Sequence, residues 1–171
     1  MIFGASGGIG KWAVEYALQD GHHDVTAYVR HPEKVQITSD HLTLIQGQIT
    51  DKEKITKALS GQNVVIWCVG IPMKRKYPVM QSLEGHKILI QAMKEQDVKR
   101  FIDWGTPSIC FEQDKKSLIT VAPGILAGIA FPQAKKEMVA IGQLLQTSEL
   151  EWTLVRFMAP KDTPYTGKVK T

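Results

Sequence analysis

Only two cysteines occur in the 171-residue chain, Cys68 and Cys110, with no C-x-x-C pair and no clustered histidines. That usage excludes a disulfide-stapled scaffold, argues against a metal site, and points to a reducing, cytoplasmic setting. A dominant charge is also missing. The 21 Lys and Arg against 17 Asp and Glu leave a net charge of only +4. The densest basic cluster, Lys74-Arg75-Lys76, is too short to argue for a nucleic-acid partner. No apolar run approaches the roughly 18 to 20 residues that cross a membrane, and no signal peptide is visible. Repeats and low-complexity stretches are lacking too. What is present is 43% hydrophobic content on a length that suits one core and one domain.

The most informative feature is a glycine triplet. Gly4, Gly7 and Gly10 stand in Gly4-Ala5-Ser6-Gly7-Gly8-Ile9-Gly10, after the apolar run Met1-Ile2-Phe3 and before a helix-like segment. Such a strand, turn and helix N-terminus is a phosphate-binding arrangement. The first glycine permits the tight turn, the second lets a phosphate approach the backbone, and the third lets helix and strand pack closely. Free amides and the positive end of the helix dipole then face an anion. The position of the triplet between strand and helix points to nucleotide-cofactor binding.

Apolar side chains at Ile9, Ala13, Val14, Ala17 and Leu18 predict a helix over 9–20, with Gly21 at its C-terminal end. Val25 to Val29 and Leu42 to Ile45 read as strands, and Thr50-Asp51-Lys52-Glu53 as a capping box for a helix ending at Ser60-Gly61. Asn63 to Val69 reads as a strand buried on both faces. A helix from Ser82 to Gln96, a strand from Arg100 to Trp104, a helix over about 132–147 and a strand from Trp152 to Phe157 complete the pattern. Alternating strands and helices predict an α/β fold: a doubly wound, Rossmann-type parallel sheet with helices on both faces in a single domain, residues 1–171. Residues 105–131 form a long irregular stretch expected over the carboxyl ends of the strands. The first strand is short and the last segment, Gly167 to Thr171, has no closing element, so the chain reads as truncated at both ends.

The end of the second strand bears on the cofactor. An acidic residue there would hold a ribose 2′-hydroxyl, whereas this chain has Arg30, followed by Lys34. A guanidinium can grip a 2′-phosphate bidentately, so the expectation is NADP(H) over NAD(H).

These residues together resemble the atypical short-chain dehydrogenase/reductase superfamily, in its NmrA-like NAD(P)-binding branch, with NADH-flavin reductases and biliverdin reductase B-like proteins nearest. The resemblance covers nearly the whole chain. It rests on the phosphate loop, on Val29-Arg30-His31-Pro32-Glu33-Lys34, on Gly47-Gln48-Ile49-Thr50-Asp51, on Val69-Gly70, on Val98-Lys99-Arg100-Phe101, and on Glu151-Trp152-Thr153-Leu154-Val155-Arg156. It implies that Ser6, Gly7, Gly8 and Ile9 touch the pyrophosphate, and Arg30 and Lys34 the 2′-phosphate. Gln48 and Ile49 would flank the adenine, Val69 and Gly70 would line the floor, and Thr106 and Phe157 would sit near the nicotinamide. Many relatives carry Asp at the position of Gln48.

One departure limits the mechanism. Conventional short-chain dehydrogenases protonate a carbonyl with Tyr, helped by a Lys four residues on. The comparable spacing here is Phe131-x-x-x-Lys135, and Met138 stands where some relatives have Lys. The fifth strand ends in Trp104-Gly105-Thr106, which leaves one hydroxyl and makes Thr106 the single candidate catalytic side chain. Direct hydride transfer to a flavin- or quinone-like small-molecule acceptor needs no Tyr/Lys pair, because the cofactor does the chemistry and the protein orients it. Phe111, Ile119, Val121, Ile125, Leu126 and Phe131 could form an apolar wall for such a ring. The alternative is an NADP(H)-sensing regulator that turns nothing over and binds a protein partner according to occupancy. A homodimer through the helices at 82–96 and 132–147 is compatible with the pattern but not demanded by it.

Overall fold

A computed structural model of the chain describes residues 1–111, 114, 124–126 and 128–157. Six parallel strands form one sheet in the order β3-β2-β1-β4-β5-β6. They are β1 Ile2–Phe3, β2 Val25–Val29, β3 Leu42–Gln46, β4 Val64–Trp67, β5 Arg100–Gly105 and β6 Glu151–Arg156. The helices are α1 Gly10–Gln19, α2 Lys52–Leu59, α3 Gln81–Glu95 and α4 Pro132–Gln146, and a 3-10 turn covers Pro32–Lys34. This is the doubly wound arrangement that the alternation predicts. Its strand order reverses between β1 and β4, and in such sheets the crevice at that point takes the ligand.

The two faces are covered unequally. Val14 on α1 packs with Ile2, Val25, Ala27 and Val29 in one cluster, joined by Ile9, Ala13, Ala17 and Leu18. On the other face α2, α3 and α4 bury Phe3, Tyr28, Val65, Trp67, Leu89, Met93, Phe101 and Ile141. Phe3 anchors this larger core, with ring centroids 4.9 Å from Tyr28 and 5.4 Å from Trp67. Three aromatics from three adjacent strands therefore form one row under the helices, each contributing a large apolar area and favourable tilted or offset contacts. Because α1 covers mainly β1 and β2, Val64 and Ile66 of β4 are only half-buried, rather than buried on both faces as expected.

Local chemistry moves some expected boundaries. Asp51, not Thr50, is the N-cap of α2: its carboxylate accepts from the Lys54 amide at 3.1 Å, so the capping pattern starts one residue later. β4 stops at Trp67, which leaves Cys68 and Val69 free to turn toward the crevice. The stretch 105–131 is not wholly irregular, since residues 124–126 and 128–130 are helical. Its beginning is fastened to β6. Arg156 clamps Asp114 through both guanidinium nitrogens and also donates to the Ile109 carbonyl at 2.8 Å. Phe111 stacks on Trp152 with centroids 5.5 Å apart. Phe111 thus packs on β6, Ile125 and Leu126 are exposed, and Ile119 and Val121 lie outside the described residues.

Candidate cofactor site

The phosphate loop takes its shape from two glycines. Gly4 has φ +75°, and a Cβ there would meet the Cys68 backbone at 2.8–2.9 Å, so β1 can turn tightly against the end of β4 only without a side chain. Gly10 opens α1 with its Cα against the Gly4 carbonyl and Ala5, where a Cβ would overlap both. Gly7 closes the turn by donating to the Gly4 carbonyl at 2.9 Å. A Cβ on Gly8, by contrast, would meet nothing within 4 Å. Ser6, Gly7 and Gly8 are exposed at the start of α1, and the positive end of that helix dipole lies beside them.

A cleft of about 460 Å³ opens beside this loop, along the carboxyl ends of the central strands. Gly4, Ser6 and Gly7 form one side. Tyr28, Val29 and Arg30 follow from β2, Gly47, Gln48 and Ile49 from the end of β3, and Cys68, Val69 and Gly70 from the end of β4. The remaining wall comes from the segment before α3, through Pro72, Tyr77, Pro78 and Val79, and from Gln81 and Ser82 in the first turn of α3. Of the residues singled out in the sequence, the structure gathers Gly4, Ser6, Gly7, Arg30, Gln48, Ile49, Val69 and Gly70 into this one cavity. Gly8, Ile9 and Gly10 continue the loop into α1 without lining the cleft. Lys34 ends the 3-10 turn, exposed and outside the lining. Thr106 and Phe157 also lie outside it. The Thr106 hydroxyl accepts from the Ser108 amide at 3.3 Å, and Phe157 stacks on Trp104 with centroids 5.5 Å apart.

The cleft walls are pinned from behind by side-chain hydrogen bonds. The Tyr28 hydroxyl donates to the Gln48 carbonyl at 3.1 Å, and burial, followed by the charge of Asp51, pushes its phenol up to about 12. Trp104 donates its indole N–H to the Val69 carbonyl at 3.3 Å. The Cys68 thiol is pushed up to about 12, mainly by burial and then by the charge of Asp103, so it stays a thiol. At the outer wall the Tyr77 hydroxyl donates to Glu137 of α4 at 2.6 Å. Partial burial, then the hydrogen bond to Glu137 and its charge, raise the Tyr77 phenol further. Behind Ser82 the His86 ring presents Nδ1 to the Ser82 carbonyl at 2.6 Å and Nε2 to Asp103 at 3.1 Å, with both side chains buried. A carbonyl can only accept, so Nδ1 carries a proton and the ring is fixed between α3 and β5.

Arg30 is exposed at the rim, and among the described residues its guanidinium has no acidic partner. The neighbouring acid, Glu33, is paired with His31 at 3.1 Å instead. Among the described residues that line the cleft, none is Asp, Glu or His. Sequence reasoning missed Tyr28, Cys68 and the whole wall from Pro72 to Ser82. Tyr28 had a usable signal, since it immediately precedes Val29-Arg30 on the strand that carries the expected cofactor cation. Tyr77 had none, because its partner Glu137 is 60 residues away.

A phosphate loop at the switch point of a doubly wound sheet, with a cleft running past it toward the exposed Arg30, defines a dinucleotide-binding domain. The chain belongs to the NAD(P)H-binding family, which it matches over residues 4–171. An isoflavone reductase homologue from Arabidopsis thaliana is 30% identical over 138 residues, covering 75% of this chain and 40% of that protein. One from Nicotiana tabacum is 31% identical over 111 residues, covering 60% of the chain and 33% of its own length. The chain therefore spans about a third to two fifths of these relatives. In fold it is similar to an anaerobilin reductase from Escherichia coli O157:H7, with TM-score 0.70 and 22% identity over 91% of this chain and 70% of that one. It is similar also to a short-chain dehydrogenase/reductase from Veillonella parvula solved with NADP, with TM-score 0.67 and 19% identity over 91% and 66%. The NAD(P)-binding character expected from the motifs agrees with the family match. Among the described residues no cluster of His, Cys, Asp and Glu could hold a metal, and no helix is long and apolar enough to cross a membrane.

Proposed function

We propose that the chain binds NADPH in preference to NADH and presents its nicotinamide to a flavin- or quinone-like acceptor for direct hydride transfer. The observation that carries this reading is the composition of the cleft. Its phosphate loop is followed at the end of β2 by an acid-free rim bearing Arg30, which suits a 2′-phosphate and offers nothing to a 2′-hydroxyl in the way a carboxylate would. NADP bound to the Veillonella parvula protein of the same fold supports it, as do the reductase names of the other relatives. Ser6, Gly7, Gly8 and Ile9 would meet the pyrophosphate. Arg30, helped by Lys34, would meet the 2′-phosphate, Gln48 and Ile49 the adenine, and Val69 and Gly70 the floor, with Thr106 and Phe157 at the nicotinamide end.

Among the described residues of the lining, no group exchanges a proton near neutrality. Tyr28 and Cys68 are pushed up to about 12, and Tyr77 is raised as well. The protein's contribution is then orientation, with the hydride supplied by the cofactor and the accompanying proton by solvent. The test is oxidation of NADPH, followed by loss of the reduced-nicotinamide absorbance, with FMN, riboflavin and a simple quinone in turn and NADH in parallel. Saturable turnover that prefers NADPH is the expected result. Tight NADPH binding without turnover on any acceptor would replace this reading with an NADP(H)-sensing regulator.

A further inference from the structure

Glu137 is a costly residue for its place in the fold. Its side chain is fully buried on α4, and among the described residues no cation pairs with it. Two neutral donors satisfy it. The Tyr77 hydroxyl reaches one carboxyl oxygen at 2.6 Å, and the backbone amide of Leu83 reaches the other at 2.9 Å. Gln133, one turn earlier on α4, adds a longer contact from its side-chain amide to the Tyr77 carbonyl at 3.4 Å. Burying a carboxyl group without a cation is expensive, and an apolar residue of similar volume commonly serves stability as well or better. Stability alone therefore does not account for a carboxylate at this point.

The two donors share one property. Tyr77 lines the cleft, and Leu83 directly follows Gln81 and Ser82, which also line it. A single carboxyl group thus fixes both halves of the wall that faces the phosphate loop: the segment before α3 and the first turn of α3. Among the described residues, the only other side-chain hydrogen bond from α4 to this wall is the longer one from Gln133 to the Tyr77 carbonyl. We propose that Glu137 is a positioning residue for the cofactor cleft and that it acts through Tyr77 and the first turn of α3. The assignment rests on the NADPH reading of the cleft.

The test compares the wild-type chain with Tyr77→Phe, Glu137→Gln and the double variant Tyr77→Phe/Glu137→Met, measuring NADPH affinity by fluorescence titration and stability by thermal melting. The double variant exchanges the polar pair for apolar groups of similar size. Loss of the buried carboxyl offsets the orphaned Leu83 amide, so melting should stay cooperative and near wild type. Its Kd for NADPH should rise roughly tenfold, within the range for residues that act on a site without touching the ligand. Tyr77→Phe should show part of that loss, and Glu137→Gln, which keeps the shape and one acceptor oxygen, less than the double variant. A folded double variant with unchanged Kd overturns the proposal, and so does a Tyr77→Phe protein with wild-type affinity. A double variant that cannot fold shows that the carboxyl serves stability, which contradicts its assigned role. A wild-type chain that does not bind NADPH would be seen before any variant is made, and it removes the cofactor reading itself.

Discussion

Arg30→Ala isolates the electrostatic half of the cofactor reading. Arg30 is exposed and makes no ion pair among the described residues, so its removal should leave the fold unchanged. Its backbone carbonyl stays anchored, since it accepts from the Gln46 side chain at 3.2 Å. A hydrogen bond to a charged group contributes about 1.5–3 kcal/mol when well sheltered. At a solvent-washed rim screening brings this down to about 1–2 kcal/mol, which corresponds to a roughly five- to thirtyfold weaker Kd for NADPH. NADH has no 2′-phosphate, and its affinity should change less than about twofold on the same scale. Lys34, a point charge outside the cleft lining, should contribute less, and Lys34→Ala should act in the same direction. Titration of both nucleotides into wild type and variant, by fluorescence or calorimetry, gives the ratio directly. Repeating it at high salt adds a second check, because the Debye length falls from about 10 Å at 0.1 M to about 3 Å at 1 M and the wild-type preference should shrink accordingly. An NADPH to NADH affinity ratio that survives Arg30→Ala unchanged would refute the reasoning, whatever the absolute affinities are.

Gly10→Ala should abolish nucleotide binding and destabilise the fold by about 1–3 kcal/mol or more, since its Cβ overlaps the Gly4 carbonyl and Ala5 backbone, whereas Gly8→Ala has open space and should melt like wild type. Thiol titration of the native chain near neutral pH should count one reactive cysteine, the exposed Cys110, with Cys68 appearing only in denaturant; two fast thiols would contradict the burial that pushes Cys68 up to about 12. Asp114 is lowered to about 2, chiefly by its hydrogen bonds from Arg156 and then from the Phe111 amide. Its depressed value means that the clamp on β6 contributes in full above the ordinary carboxylate value of 3.8 and is lost as pH falls toward 2; Asp114→Asn should remove that acid dependence from proteolysis of the segment after β5. Turnover, where found, should vary little across neutral pH once cofactor binding is saturated, and a bell-shaped profile would point to an acid or base that the cleft lining does not contain.

The sheet was legible because each strand and helix announces itself locally. Val25 to Val29, Arg100 to Trp104 and the α1 pattern need no distant partner to be recognised, and parallel order follows from the alternation. The phosphate loop was legible for a related reason: the backbone at Gly4 and Gly10 tolerates no side chain, and only glycine satisfies that. Boundaries slipped where one polar residue competes with the next, as when Asp51 took the cap from Thr50. The outer wall of the cleft was not legible at all. Glu137 sits in Lys135-Lys136-Glu137, where it reads as part of a solvated helix face, yet it is fully buried. Nothing in its neighbourhood signals that Tyr77 and Leu83 will meet it across more than fifty residues. Thr106 has a local partner that its sequence position does not announce: its hydroxyl accepts from the Ser108 amide two residues on and keeps its own proton to donate.

The same bonds bear on the choice between an enzyme and a regulator. A regulator must have two shapes that its ligand distinguishes, because a ligand shifts an equilibrium only by its differential affinity for the two states. A catalyst that works by orientation needs one shape, held closely. In this chain the β3 side of the cleft is tied by Tyr28 to the Gln48 carbonyl, the floor by Trp104 to the Val69 carbonyl, and the outer wall by Glu137 to Tyr77 and Leu83. Two of these four bonds come from aromatic side chains seated in or packed against the main core, and the other two converge on the buried Glu137 carboxyl. Opening any wall would strand a partly buried polar group, a cost of about 1–3 kcal/mol for each bond lost. A cleft braced in this way resists the change of shape that signalling requires and favours the fixed geometry that direct hydride transfer requires.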